Sequence, residues 1–380
     1  MAVCLTCRYT GAKTRLLQAI DEALLTHFDY TKHKNLGFFD VFGGTGVVSE
    51  YFIKKANFSR LIINDFLESN FVIYQGFFAQ KTFNKESFNQ DYFSKESFDR
   101  AKLESYAKAF NELDSKGLES NYYAKHFGNA FFSINDSKKI GFTRDTLDKL
   151  LESKSITTQD FYILLASLLY SVDRIANTVG HYDAYRKNIA LCDRFVYELI
   201  EPLGLKDKEI KIYKKDSNSL AKEIVELHYK NNKAFPIDIA FLDPPYNSRQ
   251  YSRFYHLLET LTLNHKPKLY GIAKKPEPNN MSEYCKVNAK EALKDLLDSL
   301  SHYTRYIVMT YNNTYTSRSN SSQNKISFNE LQSLLENTGT THIHEYNFKA
   351  FNSGKTDTKT NFKEHKEVIF VCKVGIFNKN

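Results

Sequence analysis

Tryptophan is absent from this 380-residue sequence, and its five cysteines are too few and too scattered for a disulfide framework. Cys4 and Cys7 form a lone Cys-x-x-Cys, whereas a zinc site would need a second such pair. The most apolar stretch, residues 161–172, is too short to cross a bilayer and lies between Asp160 and Asp173. We therefore expect free thiols, no metal, no secretory leader, no membrane span and a cytoplasmic protein.

The composition is that of a globular protein, with 42% hydrophobic and 25% charged residues. The length allows one large domain or two moderate ones. The net charge of +8 is a modest basic excess, which permits a nucleic-acid partner without requiring one. The aromatic side chains, 14% of the chain, are all tyrosine and phenylalanine, and most of them are expected in the core.

The most informative stretch is residues 237–246, in which a run of strand-forming residues ends in Asp243-Pro244-Pro245-Tyr246. The two prolines stop the strand because neither has an N–H group to donate. A buried strand therefore delivers a carboxylate, a stiff carbonyl and an aromatic ring to its carboxyl end, where ligands bind in open α/β sheets. This set suits a planar amine, whose two hydrogens Asp243 and the Pro244 carbonyl can accept while Tyr246 stacks on the attached ring.

Another strand followed by a turn is expected earlier in the chain, in residues 37–46. The strand contains Asp40, and the turn contains Phe42, Gly43, Gly44 and Gly46. Glycines at such a turn let the backbone approach a ligand closely. A helix is expected from about residue 47, and the next strand, residues 60–65, ends in Asp65. An acid about twenty residues after a glycine turn occupies the ribose position of nucleoside-binding α/β folds.

Residues from about 76 to 205 differ in composition from the rest of the chain. The first part of this region is polar and rich in lysine and phenylalanine, and the later part has helical patterns. A strongly apolar helix is expected at residues 160–177. It leads into residues 177–188, a loop dense in aromatic and basic side chains that suits a phosphate backbone, although an ordinary solvated loop is an equal alternative. We interpret this region as an inserted, mostly helical domain.

Three segments in order, residues 9–13, residues 40–46 and residues 243–246, resemble the Dam-like (alpha) class of S-adenosylmethionine-dependent adenine-specific DNA methyltransferases. The resemblance covers roughly residues 8–75 and 205–313. It departs from the family at Ala12, where a second glycine is usual. Residues 177–185 are similar to a segment of a less-studied branch of bacterial adenine methylases, several of which are tied to restriction systems.

The resemblance implies an α/β Rossmann-like methyltransferase sheet with helices on both faces. Residues 1–75 and 206–380 would form the catalytic domain and residues 76–205 an inserted, mostly helical target-recognition domain. The residues implied at the methionine end of the cofactor are Tyr9, Gly11 and Lys13. Those implied in its main pocket are Asp40, Phe42, Gly43, Gly44 and Gly46, with Asp65 on the ribose and Asp216 on the cofactor adenine.

The function implied is transfer of a methyl group from S-adenosyl-L-methionine to the 6-amino group of adenine in double-stranded DNA. The base is inaccessible in the duplex and must be flipped out. Asp243, Pro244, Pro245 and Tyr246 would form the catalytic site without a metal. The residues expected to contact DNA are His181, Tyr185, Arg186, Lys187, Arg249 and Arg253.

A cognate restriction endonuclease is the further partner that a restriction-modification methylase would have. Two alternatives stay open at this point. The first is an RNA adenine methyltransferase, which would use the same chemistry on a different nucleic acid. The second is a catalytically silent DNA-binding specificity protein.

Overall fold

A computed structural model describes residues 13–78, 98–178, 180–205, 207–231, 237–312, 324–347 and 366–375. Within these ranges no helix combines the length and apolar character that a membrane span requires. The chain divides into two compact units. The first, here called the sheet unit, comprises residues 13–66, 208–250 and 280–380, and the second, the helical unit, comprises residues 67–207 and 251–279, in each case as far as they are described.

The regular elements follow the alternation that the sequence predicts. The strands of the described ranges are β1 (Leu36–Asp40), β2 (Phe58–Asp65), β3 (Glu209–Lys214), β4 (Ile237–Leu242), β5 (Thr304–Asn312), β6 (Gly339–Asn347) and β7 (Lys366–Val374). Their helices are α1 (Leu17–His27), α2 (Val47–Ile53), α3 (Glu68–Phe77), α4 (Arg100–Asn111), α5 (Tyr122–Phe127), α6 (Ile134–Glu152), α7 (Thr158–Ile175), α8 (Ser217–Asn231), α9 (Tyr251–Phe254), α10 (His256–Leu263), α11 (Ala289–Leu300) and α12 (Phe328–Thr338). Short 3-10 turns lie at Lys13–Arg15, Tyr30–Lys32 and Glu283–Cys285.

All seven strands form one sheet in the order β3-β2-β1-β4-β5-β7-β6. Strands β1 to β5 run parallel, and β7 is antiparallel to both of its neighbours, β5 and β6. The chain moves outward from β1 to β3 and then returns to place β4 on the other side of β1. The sheet therefore has its topological switch point between β1 and β4, the position at which open α/β sheets bind ligands.

Helices cover both faces of this sheet because its central strands are apolar on both sides. Every residue of β1 and β4 is buried, as expected of central parallel strands. Side chains alternate between faces, so Phe38 stacks on Phe52 of α2 with ring centroids 4.6 Å apart, while Phe39 packs into the core formed with α8, α11 and α12. The predicted Rossmann-like sheet with helices on both faces is confirmed.

The helical unit is built around α7, which the sequence predicts as a buried apolar helix. A capping box begins it, since Thr157 and Asp160 exchange side-chain to backbone hydrogen bonds. Helix α3 packs closely on α7 because Gly76 has no side chain, and a Cβ there would lie 2.8 Å from the Cβ of Ala166. Residues 100–175 are mostly helical, and among the described residues from 176 to 208 there is no regular element before β3.

The compact helical unit extends beyond the predicted insertion, because it also contains α3, α9 and α10. The assignment of residues 76–205 to target recognition is a statement about function and stays a prediction.

Candidate active site

Four carboxylates lie at the carboxyl ends of the four adjacent parallel strands β3, β2, β1 and β4. Asp40 and Asp65 are the last residues of β1 and β2, Asp216 lies two residues after β3, and Asp243 directly follows β4. Because these strands are neighbours and parallel, their carboxyl ends meet at one edge of the sheet. The structure thus brings together the acids that the sequence singled out.

The glycine turn after β1 is held by the end of β2. Gly44 and Gly46 adopt φ values of 53° and 74°, which other residues rarely take. The Gly44 N–H donates to Asp65 Oδ2 at 2.8 Å, and the Gly43 N–H donates to the Asn64 carbonyl at 2.8 Å. Asp65 therefore supports the turn directly, in addition to any contact it makes with a ligand.

Asn64 organises this edge, although sequence reasoning did not identify it. Its buried amide nitrogen donates to the carbonyls of Val41 at 3.2 Å and Lys215 at 3.1 Å, and its oxygen accepts from the Lys215 N–H at 3.0 Å. One side chain thereby joins the ends of β1, β2 and β3. The signal in the sequence is a polar residue next to Asp65 at the end of an apolar strand.

Asp40 is a buried carboxyl with capacity for a further hydrogen bond. Oδ2 accepts from the Ser49 hydroxyl at 2.7 Å, whereas Oδ1 has no hydrogen-bond partner among the described residues. Burial raises the pKa of Asp40 to about 7, with smaller contributions from Asp243 and Asp65 in the same direction. An unpartnered carboxyl oxygen beside a glycine turn fits a ligand that carries hydrogen-bond donors.

Asp216 has a structural role that the sequence did not predict. Its Oδ1 accepts the Ser219 N–H at 3.0 Å and the Ser219 hydroxyl at 3.2 Å, so it caps the start of α8. Phe42, at the turn after β1, packs edge-to-face on the buried Tyr284 with ring centroids 5.0 Å apart. These contacts fix the side chains on either side of the turn.

Asp243 accepts hydrogen bonds on both of its carboxylate oxygens. Oδ2 lies 2.8 Å from Lys13 Nζ, and Oδ1 accepts from the Thr310 hydroxyl at 2.9 Å and from the Tyr246 hydroxyl. The side chain of Lys13 is only 6% exposed and that of Asp243 19% exposed. Sequence reasoning placed Lys13 at the cofactor, and the structure places it against the predicted catalytic carboxylate.

A third charged group, Glu367 at the start of β7, completes this buried cluster. Glu367 pairs in register with Asn312, so it shares a sheet face with Thr310, two residues earlier on β5. Its Oε2 is buried without a hydrogen-bond partner among the described residues. Burial raises the pKa of Glu367 to about 7, although Lys13 acts in the opposite direction. Strand register cannot be read from local sequence patterns, so sequence reasoning did not identify this acid.

Lys13 remains a cation in this setting. Burial alone would lower the pKa of its amine, but the negative charges of Asp243 and Glu367 outweigh burial and raise it above the ordinary value. The Lys13 amine also lies 5.2 Å from the centroid of the Tyr246 ring. A fixed cation therefore faces both the carboxylate and the ring of the Asp-Pro-Pro-Tyr sequence.

The Tyr246 ring is oriented from a second side by Tyr311, with ring centroids 4.6 Å apart. The Tyr246 carbonyl accepts the Lys325 N–H at 2.8 Å. Between Asp243 and Tyr246, Pro244 is buried and Pro245 is half-buried. Arg249 follows on the same segment and is exposed. Tyr9 and Gly11 lie outside the described residues.

The predicted DNA-contacting loop of the helical unit is anchored at its base and exposed at its end. His181 stacks on Phe254 with ring centroids 4.7 Å apart, and Tyr185 packs edge-on against Phe131 at 5.3 Å. These two rings are half-buried, which gives them a packing role within the unit. The next two residues, Arg186 and Lys187, are exposed.

Arg253 lies on α9, in the same unit as this loop. Its guanidinium donates to the Pro276 carbonyl. In the described ranges no three His, Cys, Asp or Glu side chains are grouped in a way that could hold a metal ion.

Comparison with known proteins gives a consistent result. Residues 9–309 match the sequence profile of D12 class N6 adenine-specific DNA methyltransferases. The chain is 28% identical over 386 residues to modification methylase StsI of Streptococcus sanguinis, covering 98% of this chain and 52% of that protein. It is 26% identical over 380 residues to type II methyltransferase M.FokI of Planomicrobium okeanokoites, covering 97% and 53%.

It is also 25% identical over 363 residues to type II methyltransferase M.NlaIII of Neisseria lactamica, covering 92% of this chain and 94% of that protein. The chain therefore spans about half the length of StsI and M.FokI and nearly the whole length of M.NlaIII.

Proposed function

Because the chain belongs to the family of D12 class N6 adenine-specific DNA methyltransferases, we propose that it methylates the 6-amino group of adenine in duplex DNA. The methyl donor we propose is S-adenosyl-L-methionine, which this family generally uses. Relatives named as type II methyltransferases further support a role as the methylase of a restriction-modification system, with a cognate endonuclease as partner. We also propose the Dam-like (alpha) subclass, from the order of the three sequence segments.

One observation carries this proposal. Asp243 forms an ion pair with the buried Lys13 at the switch point of the sheet, and it is followed directly by Pro244, Pro245 and Tyr246. This ion pair fixes the carboxylate at the end of β4, where it can accept a hydrogen bond from an amine.

The exocyclic amine of adenine is a weak nucleophile, because its lone pair is delocalised into the ring. Asp243 and the Pro244 carbonyl would accept its two N–H bonds and favour a pyramidal nitrogen, which frees the lone pair. In the structure Asp243 Oδ1 already receives two hydroxyl donors, from Thr310 and Tyr246. The incoming amine would replace the Tyr246 hydroxyl, and the Tyr246 ring would stack on the base. Orientation and electrostatics then supply most of the rate enhancement.

The residues around the glycine turn fit the methyl donor. Asp40 offers a buried oxygen without a partner among the described residues, and the turn of Gly43 to Gly46 allows close approach of a ligand to the backbone. When bound, S-adenosylmethionine supplies a methyl group already activated on sulfur. We propose that Asp65 binds its ribose, that Asp216 binds its adenine, and that Tyr9 and Gly11 lie at its methionine end.

For the DNA we propose base flipping, because the amine is not reachable in the duplex. The exposed side chains Arg186 and Lys187, together with Arg249, are the proposed phosphate contacts. His181, Tyr185 and Arg253 would position these contacts through their packing. Residues 76–205 would set the choice of sequence.

The experiment compares three substrates with the full-length protein and tritiated S-adenosylmethionine. These are plasmid duplex DNA from a host without adenine methylation, the same DNA as single strands, and RNA of the same sequence. Nucleosides are separated after digestion. We expect label in N6-methyl-2′-deoxyadenosine from the duplex, and sequencing of the product then gives the target site. Label mainly in RNA, or on cytosine, would contradict the proposal.

A further inference from the structure

Glu367 has a hydrogen-bonding capacity that the proposed function does not use. The residue is 8% exposed, and its Oε2 has no hydrogen-bond partner among the described residues. Leaving a buried polar atom without a partner costs free energy, so native structures rarely do it without a reason. In a carboxyl group beside a substrate site, the unused atom points to a contact that the substrate completes.

Strand register places Glu367 at the edge of the sheet that carries the candidate active site. It lies at the start of β7 and pairs with Asn312 at the end of β5. Side chains that pair across an antiparallel ladder share a face, as do residues two apart on one strand, so Thr310 lies on that face too. The Thr310 hydroxyl donates to Asp243 Oδ1 at 2.9 Å. Glu367 therefore shares the sheet face from which Thr310 contacts Asp243.

Charged and titratable groups face Glu367 from several elements of the sheet unit. Lys13, in the 3-10 turn before α1, and Asp243, after β4, both interact electrostatically with its carboxyl group. On β6 its partner in register is Tyr346, whose hydroxyl donates to the Ala19 carbonyl at 3.3 Å. Burial raises the pKa of Glu367 to about 7, Lys13 acts against burial, and Asp243 adds to it. The carboxyl group can therefore carry a proton near neutral pH.

The proposed substrate offers such a carboxyl group hydrogen-bond acceptors only. In the proposed function, Asp243 and the Pro244 carbonyl take both hydrogens of the adenine amine, and the base has no other N–H group. The ring atoms beside the amine that remain free are the acceptor nitrogens N1 and N7. An ionised carboxylate cannot donate to them, whereas a protonated carboxyl group can, and some enzymes keep a buried acid neutral for this purpose.

We propose that Glu367 recognises the target base, donating a hydrogen bond from its protonated carboxyl group to N1 or N7 of the adenine whose amine Asp243 holds. This inference rests on the proposed function, because that function brings the base to Asp243. The hydrogen stays on Glu367, so no proton is transferred and no bond is broken in this step. The contact orients the ring and thereby the lone pair of the amine toward the methyl donor.

The first test uses three duplexes whose mapped target base is adenine, 1-deazaadenine or 7-deazaadenine, so that each analogue lacks one ring nitrogen and keeps the amine. The kcat/KM for methylation is measured at pH 6.5 with full-length wild type and Glu367→Ala. On adenine the variant should be about tenfold slower, the effect of one lost hydrogen bond. On one analogue the two proteins should be equally fast, because the acceptor is already absent. A deficit of the same size on all three bases, or no deficit on adenine, overturns the proposal.

The second test follows kcat/KM on the adenine duplex from pH 6.5 to pH 9. Glu367→Gln has an amide N–H in place of the carboxyl O–H and does not titrate, so at pH 6.5 it should stay within about threefold of the wild type. Above about pH 7 the wild type loses its donor, and its kcat/KM should fall about tenfold relative to Glu367→Gln. Glu345→Ala, at an exposed glutamate of β6, is the control and should match the wild type throughout. A constant ratio of wild type to Glu367→Gln over this range overturns the proposal, even if Glu367→Ala does not fold.

The outcomes separate this inference from the proposed function. A wild-type protein that methylates the adenine duplex, with Glu367→Ala and Glu367→Gln equally impaired on every base, refutes the base contact alone and leaves Glu367 as a counter-charge to Lys13. A wild-type protein that methylates no duplex adenine refutes the proposed function, and the inference with it.

Discussion

Replacing Lys13 by methionine removes the cation that faces Asp243 and keeps a flexible side chain of similar length. Asp243 and Glu367 would then share a buried site without a counter-charge. Like charges in a buried site repel each other, so the folded state should lose stability. Asp243 also loses the ion pair that holds its carboxylate in position for the amine, and methyl transfer should fall.

The expected magnitude follows from burial. Breaking a buried ion pair by removing one partner costs roughly 3–5 kcal/mol, and the side chains of Lys13 and Asp243 are 6% and 19% exposed. The pair of Lys32 and Asp29 has nearly the same length, 2.9 Å, but exposures of 79% and 42%. An exposed pair of that kind contributes about 0–1 kcal/mol, so Lys32→Ala is the matched control.

The assay combines denaturant unfolding with single-turnover methylation, both at pH 8. Lys13→Met should lose several kcal/mol of unfolding free energy and should methylate more slowly than the wild type and Lys32→Ala. In a double-mutant cycle with Asp243→Asn, the stability costs should be strongly non-additive. Stability costs that simply add, or a methylation rate equal to that of the wild type, would refute the reasoning.

Three further predictions concern the neighbouring side chains. Tyr246→Phe should keep most of the methylation rate and lose about 1 kcal/mol of stability with its hydrogen bond to Asp243, whereas Tyr246→Ala should lose roughly 1–3 kcal/mol of base stacking in a base-flipping assay. Asp65→Ala should weaken binding of S-adenosylmethionine by about 1–3 kcal/mol in calorimetry, and normal binding would remove Asp65 from the ribose site. Burial raises the pKa of Asp40 from 3.8 to about 7 in the folded state, so the folded protein binds this proton more tightly than the unfolded chain. The free energy of unfolding should therefore fall as pH rises from 3.8 to about 7 and level off above that. Asp40→Asn should flatten this slope in unfolding curves measured over a series of pH values.

The central strands and the Asp-Pro-Pro-Tyr edge were predictable from the sequence because their signals are local. A run of apolar residues that stops at two prolines indicates where β4 ends, and the glycine turn indicates where β1 ends. The register between strands is not local. Glu367 lies 124 residues after Asp243, and only the antiparallel insertion of β7 beside β5 brings it to the same site.

The partners of the predicted residues were harder to foresee than the residues themselves. The family resemblance placed Lys13 at the methionine end of the cofactor, but it did not indicate that Lys13 pairs with Asp243. The cap that Asp216 forms on α8 illustrates the same limit, since an acid at the end of a strand can serve a ligand, the next helix, or both. Side-chain pairing depends on the packed fold, and a single sequence does not contain that information in local form.

The most direct measurement is methylation of unmethylated plasmid DNA by wild type, Asp243→Ala and the control Asp29→Ala, with S-adenosylmethionine binding measured in parallel. The hydrogen bond from the amine strengthens as positive charge develops on nitrogen, so its loss should fall on turnover. We expect Asp243→Ala to bind S-adenosylmethionine within a few-fold of the wild type and to form no detectable N6-methyladenine, while Asp29→Ala stays fully active. Substantial N6-methyladenine from Asp243→Ala would contradict the account at its centre.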